Sequence, residues 1–381
     1  MKAAVDARLD VLRGSALRLT YSARSLAALE NNPRCTLRAV LDASGSNKTD
    51  IAKHAGYELP FGQSPFAIAR GNSFEAMVKA NGCAELLRVL REILQLSLPE
   101  VGYQDLNDVG GDGRSEIRHA RTRQLLVRAA RGLGDGTLFD HPMLLLRVGG
   151  HAAFLEPDLV AFRVGDRFHV VEIKSFPIID GRADPAQVRA ATTQACAYII
   201  ALRAMLAEAG IGPEAVSETI VLVAPRDFTN RPAAAFVDAR KQVATLTRQL
   251  ARIERIGDLL DLLPDGLTFA IADEAGLPRP AGELVEALDQ VPATYRPDCL
   301  NHCEMAFYCR ARARDGGSLD VLGPVVREQL GGIDTVTMAL GLARGKLRPN
   351  DEQVEIAASL RHAARLRAEL RSTAGTPGAA A

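Results

Sequence analysis

The sequence has no excess of charge of either sign. Lysine and arginine together number 46, aspartate and glutamate also number 46, and the formal net charge is zero. Proteins that attract nucleic acid over their whole surface carry a basic excess. Balanced charge therefore excludes a globally basic DNA-binding protein, and any DNA-binding surface must come from local segregation of charge.

Long apolar runs and a leader-like beginning are also lacking. No apolar run reaches the roughly 18 uninterrupted residues of a transmembrane helix, and the first residues lack the series that is typical of a signal peptide. We therefore expect a cytoplasmic protein with no membrane partner. Cysteines stay reduced in the cytoplasm, so clustered members of the six cysteines are better explained as metal ligands than as disulfides.

The remaining composition is that of a globular protein. The 381 residues are 47% hydrophobic and 24% charged, enough for one large domain or two ordinary ones. Residue periodicity predicts strands at 143–148, 151–155, 158–164 and 168–174, in the spacing of a β-meander, with further strands at 219–224 and 269–272. Periodicity also predicts helices at 73–98, with a break at Gly82, at 185–208 and at 232–263. This order predicts an α/β or α+β fold, a mixed sheet flanked by helices.

One pair of short segments carries most of the functional information. Glu156-Pro157-Asp158 opens one predicted strand, and Glu172-Ile173-Lys174 ends the next. Because side chains alternate across a strand, Glu172 and Lys174 share one face, and Ile173 points to the opposite, apolar face. Pairing of the two strands as a hairpin would bring Asp158 beside Glu172.

Two carboxylates placed together repel each other, and a divalent cation relieves that repulsion. Mg²⁺ binds oxygen ligands, commonly one or two carboxylates with waters and substrate phosphate oxygens, and the Ile173 carbonyl is within plausible reach. Lys174 can then position or activate an attacking water and offset charge in a phosphoryl transition state. The alternative is a solvated, charge-paired strand edge formed by Glu172 and Lys174.

Two further features favour the site over the strand edge. In the following helix Gln194 and Tyr198 are four residues apart and share a face, with Gln187 two turns earlier. Upstream, Glu75 lies in the first turn of a predicted helix, where it can reach the same site.

In this order the residues resemble the motif series of RecB-family nucleases in the PD-(D/E)xK superfamily, over roughly residues 70–200. The matching residues are Gly71, Phe74, Glu75, Asp158, Glu172, Lys174, Gln194 and Tyr198. The resemblance implies a restriction-endonuclease-like core in which Asp158, Glu172 and the Ile173 carbonyl bind Mg²⁺ or Mn²⁺ and Lys174 is catalytic. It also implies that Glu75 is a further metal ligand or a base, and that Gln194 and Tyr198 support DNA binding.

A second motif is the spacing C-x3-C-x5-C of Cys299, Cys303 and Cys309. Thiolates suit an iron–sulfur cluster or zinc, and either needs a fourth ligand. Cys35 is the best candidate for it, and His302 is an alternative ligand for zinc. Cys83 and Cys196 lie in apolar helical patterns and are predicted to be core residues.

Cys35 and the triplet resemble the iron–sulfur branch of the same superfamily. That branch includes CRISPR-associated RecB-like exonucleases and the nuclease part of AddB. That resemblance implies a [4Fe–4S] cluster.

Two other patterns are weaker. The segment from Asp105 to Glu116 partly mimics a calcium loop, but Val109 stands where an oxygen ligand is needed, so we expect a polar surface loop. A basic run can be a solvated helix face or can follow a DNA backbone, and the sequence leaves both open; it comprises Arg114, Arg118, His119, Arg121, Arg123, Arg128 and Arg131.

These observations predict a division of the chain into 1–69, an N-terminal helical part with Cys35; 70–275, the nuclease core; 276–371, the cysteine and helical region; and 372–381, a disordered tail. The predicted function is metal-dependent hydrolysis of DNA, on single strands or ends, with exonuclease action favoured. Helicase or CRISPR-type defence proteins are expected partners. The alternatives are a DNA-binding scaffold of the same fold that does not cut, and a zinc-stapled protein unrelated to nucleases.

Overall fold

The structure is a computed structural model that describes residues 2–33, 35–59, 65–94, 102–107, 115–133, 136–164, 167–227, 229–273 and 275–374. The chain forms two compact units. The first unit comprises residues 1–33, 38–47 and 60–279, and the second comprises 34–37, 48–59 and 280–381. Cys35 therefore belongs to the same unit as the three C-terminal cysteines.

The strands all lie in the first unit and form two sheets. In chain order they are β1 (Gly102–Asp105), β2 (Gly136–Asp140), β3 (Leu144–Val148), β4 (His151–Leu155), β5 (Leu159–Val164), β6 (Arg167–Ile173), β7 (Thr219–Pro225) and β8 (Pro232–Asp238). Six of them make a mixed sheet in the order β1-β2-β5-β6-β7-β8, and β3 and β4 form a separate antiparallel pair. The β1–β2 and β6–β7 pairs are parallel, and the others in the large sheet are antiparallel.

The helices flank this sheet and build the second unit. They are α1 (Lys2–Arg13), α2 (Ala23–Asn31), α3 (Thr36–Ser44), α4 (Lys48–His54), α5 (Pro65–Leu94), α6 (Ser115–Ala130), α7 (Pro185–Ala207), α8 (Arg240–Ile253), α9 (Ile256–Leu260), α10 (Ala281–Asp289), α11 (Cys299–His302), α12 (Ala306–Asp315), α13 (Pro324–Gln329), α14 (Val336–Ala343) and α15 (Val354–Ala374). Short 3₁₀ turns add Pro213–Ala215, Leu319–Leu322 and Asp351–Gln353. The predicted α/β class, a mixed sheet flanked by helices, is thus confirmed.

Both faces of the central strands of the large sheet are buried. Val170 of β6 joins a core that includes residues of α2, α6 and α7, whereas Val171 and Ile173 join a second core with α5. The apolar face predicted for β6 is therefore correct, but the face that carries Glu172 is covered as well. Strands buried on both faces read as near-continuous apolar runs, as β6 and β7 do.

Helix α7 connects the parallel strands β6 and β7 and is the central core helix. Asp184 caps it, accepting hydrogen bonds from the N–H groups of Ala186 and Gln187, and Pro185 occupies its first turn. The helix is long and apolar enough to cross a membrane, but 67% of its most apolar window is buried inside the protein. A buried core helix explains that composition.

Helix α5 has a break that the sequence predicted at Gly82. Asn81, Gly82 and Cys83 are all in the left-handed conformation, with φ of 53°, 65° and 62°. Asparagine and glycine adopt this conformation at lower cost than other residues, which explains the position of the break. Cys83 is buried and packs with Phe74 and Val78 in the α5 core, as predicted for a core cysteine.

Several predicted elements differ from the structure. The range 232–263 is not one helix: Pro232–Asp238 is the edge strand β8, which pairs with β7 before α8 begins. Three alanines favour a helix locally, but the backbone hydrogen-bonding groups of β7 need a partner strand. Pairing with β7 therefore makes this segment a strand. The meander prediction was also wrong, since β3–β4 leave the large sheet. Phe269 bonds to the Leu12 carbonyl without forming the strand predicted at 269–272.

The second unit contains α4 and α10–α15, with the Arg34–Leu37 segment. Leu37 N–H donates to the Pro292 carbonyl at 2.9 Å, which attaches that segment to the loop after α10. Tyr308 of α12 donates to Asp289 at 2.7 Å and meets Tyr57 edge-on. Helix α15 continues to Ala374, and the rest of the predicted disordered tail, 375–381, lies outside the described residues.

Candidate functional site

The β5–β6 hairpin brings Asp158 and Glu172 together. Leu159 is paired with Val171, so the next residues outward are Asp158 and Glu172. Asp158 Oδ2 accepts a hydrogen bond of 2.7 Å from the Ile173 N–H, which fixes its carboxylate at the end of β6. Local hairpin register is therefore the reason that these two acids meet.

Lys174 completes the group at the point where β6 ends. Its Nζ lies 2.6 Å from Glu172 Oε2 and 3.9 Å from Asp158 Oδ2. The Lys174 N–H donates to the Val223 carbonyl, which continues the parallel β6–β7 pairing past the strand end. The structure thus brings together Asp158, Glu172 and Lys174.

The Glu172 carboxylate is fully buried, with 0% of the residue exposed. Both of its oxygens are buried, and neither accepts a hydrogen bond of acceptable geometry despite the close Lys174 ammonium. A buried carboxylate is costly unless cations compensate it, and the single Lys174 ammonium stands beside two acids, Glu172 and Asp158, which leaves a net negative charge. The donor set of Glu172 and Asp158, with the Ile173 carbonyl at the strand end, therefore fits Mg²⁺ or Mn²⁺.

The charges of Asp158, Glu172 and Lys174 affect one another's pKa values. Burial raises the pKa of Glu172 to about 7, and burial likewise raises the pKa of Asp158. Burial alone would lower the pKa of Lys174, but the charges of Glu172 and Asp158 reverse this, and the pKa of Lys174 is raised. The lysine is thus held as an ammonium ion.

Glu75 approaches this group from α5. Because α5 begins at Pro65, Glu75 stands in its third turn, and the predicted position in a first turn was wrong. The side chain is 29% exposed, and its charge contributes to the raised pKa values of Asp158, Glu172 and Lys174. A carboxylate with these neighbours can serve as a further metal ligand or as a base.

The α7 residues divide into a buried pair and an exposed glutamine. Gln194 donates a hydrogen bond of 3.0 Å from Nε2 to the Tyr198 hydroxyl, and Tyr198 is only 3% exposed. Burial raises the pKa of Tyr198, and the charge of Glu172 adds to this effect. Gln187 is exposed at the beginning of the helix. Tyr198 therefore supports Gln194 and does not present its ring to solvent.

Sequence reasoning missed a polar group next to Glu75. Its centre is Lys79, one helical turn after Glu75. The β1–β2 pairing sets Asp105 opposite Asp140, and His141 follows with φ of 48°. Asp105 is the exposed last residue of β1, so a loop can begin only after it. Residues 108–114 of the predicted surface loop lie outside the described residues. The four-residue spacing of Glu75 and Lys79 was the one signal in the sequence.

This group is closely connected. Ligand atoms of Asp105, Asp140 and His141 all lie within 4.8 Å of one another. Despite burial, hydrogen bonds with His141, Lys79 and Tyr103 lower the pKa of Asp140 to about 2. The hydrogen bond to Asp140 raises the pKa of His141. Asp140 is therefore a permanently ionised carboxylate at neutral pH.

The basic run on α6 is partly structural. Arg118 is buried and makes two hydrogen bonds to Glu156, of 3.1 and 2.9 Å, and a third to the His141 carbonyl. A buried arginine held in this way supports Glu156, two residues before Asp158. Arg118 is therefore not free to contact a DNA backbone. Arg121 and Arg128 are exposed, so the alternative of a DNA contact stays open for them.

In the second unit the four candidate cluster cysteines are buried and form no disulfide. Burial raises the pKa of the Cys309 thiol, and the charges of Cys35, Cys303 and Cys299 act on it in the same direction. The Arg296 N–H points to Cys299 Sγ at 3.4 Å. The four cysteine side chains are therefore buried in the same unit and act electrostatically on Cys309. Cysteine sulfurs are the ligands that an iron–sulfur cluster or zinc binds.

A separate cavity of about 520 Å³ lies among α1, the β3–β4 turn and α8–α9. Its lining contains none of the candidate acids. No family model matches the chain, and no curated protein matches it. The chemistry must therefore be inferred from the side chains themselves.

Proposed function

We propose that the protein is a metal-dependent DNA nuclease of the PD-(D/E)xK type. The observation that carries the proposal is the arrangement of Asp158, Glu172 and Lys174 at the end of one hairpin. In particular, both oxygens of Glu172 are buried without an acceptable hydrogen bond. A buried acid and a half-buried acid beside an ammonium ion have a clear use in phosphodiester hydrolysis and none in a solvated strand edge.

The residues that would hold the ion are Asp158 and Glu172, with the Ile173 carbonyl and Glu75 as further ligands. When bound, Mg²⁺ or Mn²⁺ supplies Lewis acidity and charge neutralisation for attack on phosphorus. The Asp158 carboxylate is oriented for this role by the Ile173 N–H. These contacts explain why the acids stay in place before any ion arrives.

Lys174 acts as a fixed positive charge. Its raised pKa keeps it protonated at neutral pH, so it is suited to donate hydrogen bonds to a phosphate oxygen or to an attacking water. It is not suited to accept a proton from that water. Gln194, held by the Tyr198 hydroxyl, is placed on the helix that covers the Glu172 face and supports the DNA strand.

Four thiols in the second unit support the other half of the proposal, a structural [4Fe–4S] cluster. Such a cluster would link the Arg34–Leu37 segment to the Cys299–Cys309 region and hold both in one unit. Zinc fits the same ligands. We propose action on single strands or ends in the cytoplasm, with helicase or defence-system proteins as partners.

The test uses the full chain, purified without oxygen so that any cluster survives. Iron, sulfide and zinc are measured, and the same sample is incubated with single-stranded DNA, linear duplex and closed plasmid, with and without Mn²⁺. We expect Mn²⁺-dependent products from single strands or linear ends. Retention of DNA without metal-dependent products would instead identify a scaffold that does not cut.

A further inference from the structure

Beside the candidate metal ligands lies a second acidic group, formed by Asp105, Asp140 and His141. The first two are paired across the parallel strands β1 and β2, and His141 follows β2 directly. Their ligand atoms lie within 4.8 Å of one another, and Asp140 is buried. Two carboxylates and an imidazole at this spacing are a donor set that a divalent cation would accept.

A lysine already provides the positive charge. Lys79 Nζ lies 2.7 Å from Asp140 Oδ1, 2.5 Å from Glu75 Oε1, 3.2 Å from His141 Nε2 and 3.1 Å from the Asp158 carbonyl oxygen. The Lys79 side chain is only 9% exposed. Its ammonium group is thus surrounded by oxygen and nitrogen atoms, as a bound cation would be.

The geometry accounts for all the protons of this ammonium group. Lysine has three N–H donors, and Glu75 and the Asp158 carbonyl accept two of them; neutral His141 with its hydrogen on Nδ1, toward Asp140, accepts the third at Nε2. Asp140 Oδ1 approaches as an ion-pair partner. A lysine used so completely is a fixed charge and does not reach for substrate.

Glu75 connects this group to the candidate metal site. One of its oxygens binds Lys79, while its charge acts on Asp158, Glu172 and Lys174. In two-metal sites, two ions about 3.5–4 Å apart share acidic ligands between them. Here Glu75 is in the position of the shared acid, and the Lys79 ammonium group occupies the position of one of the two ions.

We infer that Lys79 stands in the place of a second divalent ion, so that the site binds a single ion and Lys79 positions Glu75 toward it. The inference rests on the proposed nuclease function. Lys79 is a positioning residue, because it acts on the ion through Glu75 and the Asp158 backbone and is otherwise held by Asp140 and His141. Removing the ammonium group should open the Asp105, Asp140 and His141 donor set to a metal ion.

The experiment counts Mn²⁺ bound per chain by equilibrium dialysis and electron paramagnetic resonance, with the full chain purified without oxygen. We expect the wild type to bind one ion, at Asp158 and Glu172. The double variant Asp158→Asn/Glu172→Gln, which lacks both ligands, should bind none there. We expect two ions in Lys79→Met, with the magnetic coupling of a close pair. Adding Asp140→Asn to Lys79→Met should return the count to one.

Two bound ions in the wild type would overturn the inference and leave the nuclease proposal standing. Folded Lys79→Met that still binds one ion would overturn it as well. Absence of any bound ion in the wild type would sink both. If Lys79→Met does not fold, Asp140→Asn in the wild type decides: its count stays at one if Lys79 is the resident cation and falls if Asp140 ligates the ion.

Discussion

Glu172 is the residue on which the account depends most. Its neighbours Val170, Val171 and Ile173 are buried apolar residues, and the sequence gives no local reason for an acid there. The lysine two residues later is close but does not give either carboxylate oxygen an acceptable hydrogen bond. Buried charges of this kind are retained where they perform a function, because apolar residues would stabilise the strand better.

The raised pKa of Glu172 predicts opposite pH dependences for stability and for metal binding. Its folded pKa of about 7 lies above the ordinary value of 4.5, so protonated Glu172 favours the folded state. This contribution is fully present below about pH 4.5 and is lost as pH rises through about 7. We therefore expect the melting temperature of the metal-free protein to fall between pH 5.5 and 8.

Over the same pH range the affinity for Mn²⁺ should rise, because the ion binds the carboxylate form. The increase should approach tenfold per pH unit while Glu172 titrates. Thermal melts with and without Mn²⁺ measure both effects. In Glu172→Gln the pH dependence should flatten and the Mn²⁺ stabilisation should vanish; an unchanged profile in that variant would remove Glu172 from the metal site.

Residue-level prediction succeeded where the distances along the chain were short. Asp158, Glu172 and Lys174 belong to one hairpin, and the two-residue period of strands is enough to place them together. Lys79, Asp140 and His141 meet through a parallel pairing of β1 with β2 and through α5, which no local pattern reveals. Only tertiary structure could identify them.

At the scale of elements, the break in α5 is the feature that places Glu75 and Lys79. Gly82 has φ of 65°, and a Cβ added there meets nothing within 4 Å. The strain of a left-handed alanine is therefore the expected cost of Gly82→Ala, about 1 kcal/mol of unfolding free energy.

The matched control is Gly71→Ala on the same helix. Gly71 has no positive φ, and an added Cβ would meet Ser175 Oγ at 3.9 Å, an ordinary contact. Alanine is the better helix former, so this variant should gain up to about 1 kcal/mol. Urea unfolding of both variants measures the difference; a Gly82→Ala variant as stable as Gly71→Ala would mean that the left-handed break is absent.

Element prediction depended on whether local preference and tertiary context agreed. The long apolar pattern of α7 needed no help from context, and its predicted and observed bounds nearly coincide. Strand β8 has an alanine-rich sequence that prefers a helix, and pairing with β7 overrides it. Strands β1 and β2 are short and lie near glycines, so their patterns were too weak to recognise.

At the scale of the whole molecule, a segment near residue 35 and a region near residue 300 belong to the second unit, and the proposed cluster would tie them together. We expect Cys35→Ser and Cys309→Ser to lose the bound metal and to lower the melting temperature, because the cluster contributes folding free energy. Iron and sulfide content, visible absorption and thermal melts measure this.

Cys196→Ala is the matched control for these variants. Cys196 is also a buried cysteine, but it lies in the α7 core and outside the group of four. It should keep the full metal content and lose only the small packing energy of a sulfur atom. A colourless wild type with stoichiometric zinc would show that the cysteines bind zinc and not an iron–sulfur cluster. Cys35→Ser with unchanged metal content would remove Cys35 from the ligands.

The organisation of the chain also shows the limit of prediction from sequence at this scale. The triplet spacing indicates a metal site that needs a fourth ligand, and Cys35 is the best candidate because Cys83 and Cys196 lie in apolar helical patterns. The distance along the chain gives no physical reason for that choice. Tertiary contacts such as the hydrogen bond from the Leu37 N–H to the Pro292 carbonyl place Cys35 in the second unit with the triplet.

The most direct test of the central claim compares Lys174→Met with Lys241→Met, an exposed lysine on α8. Degradation of end-labelled single-stranded DNA is followed in Mn²⁺, with metal content and melting temperature measured on the same samples. We expect a loss of about 10²- to 10³-fold for Lys174→Met, an unchanged rate for Lys241→Met and folded protein in both. Equal cleavage by the two variants would contradict it.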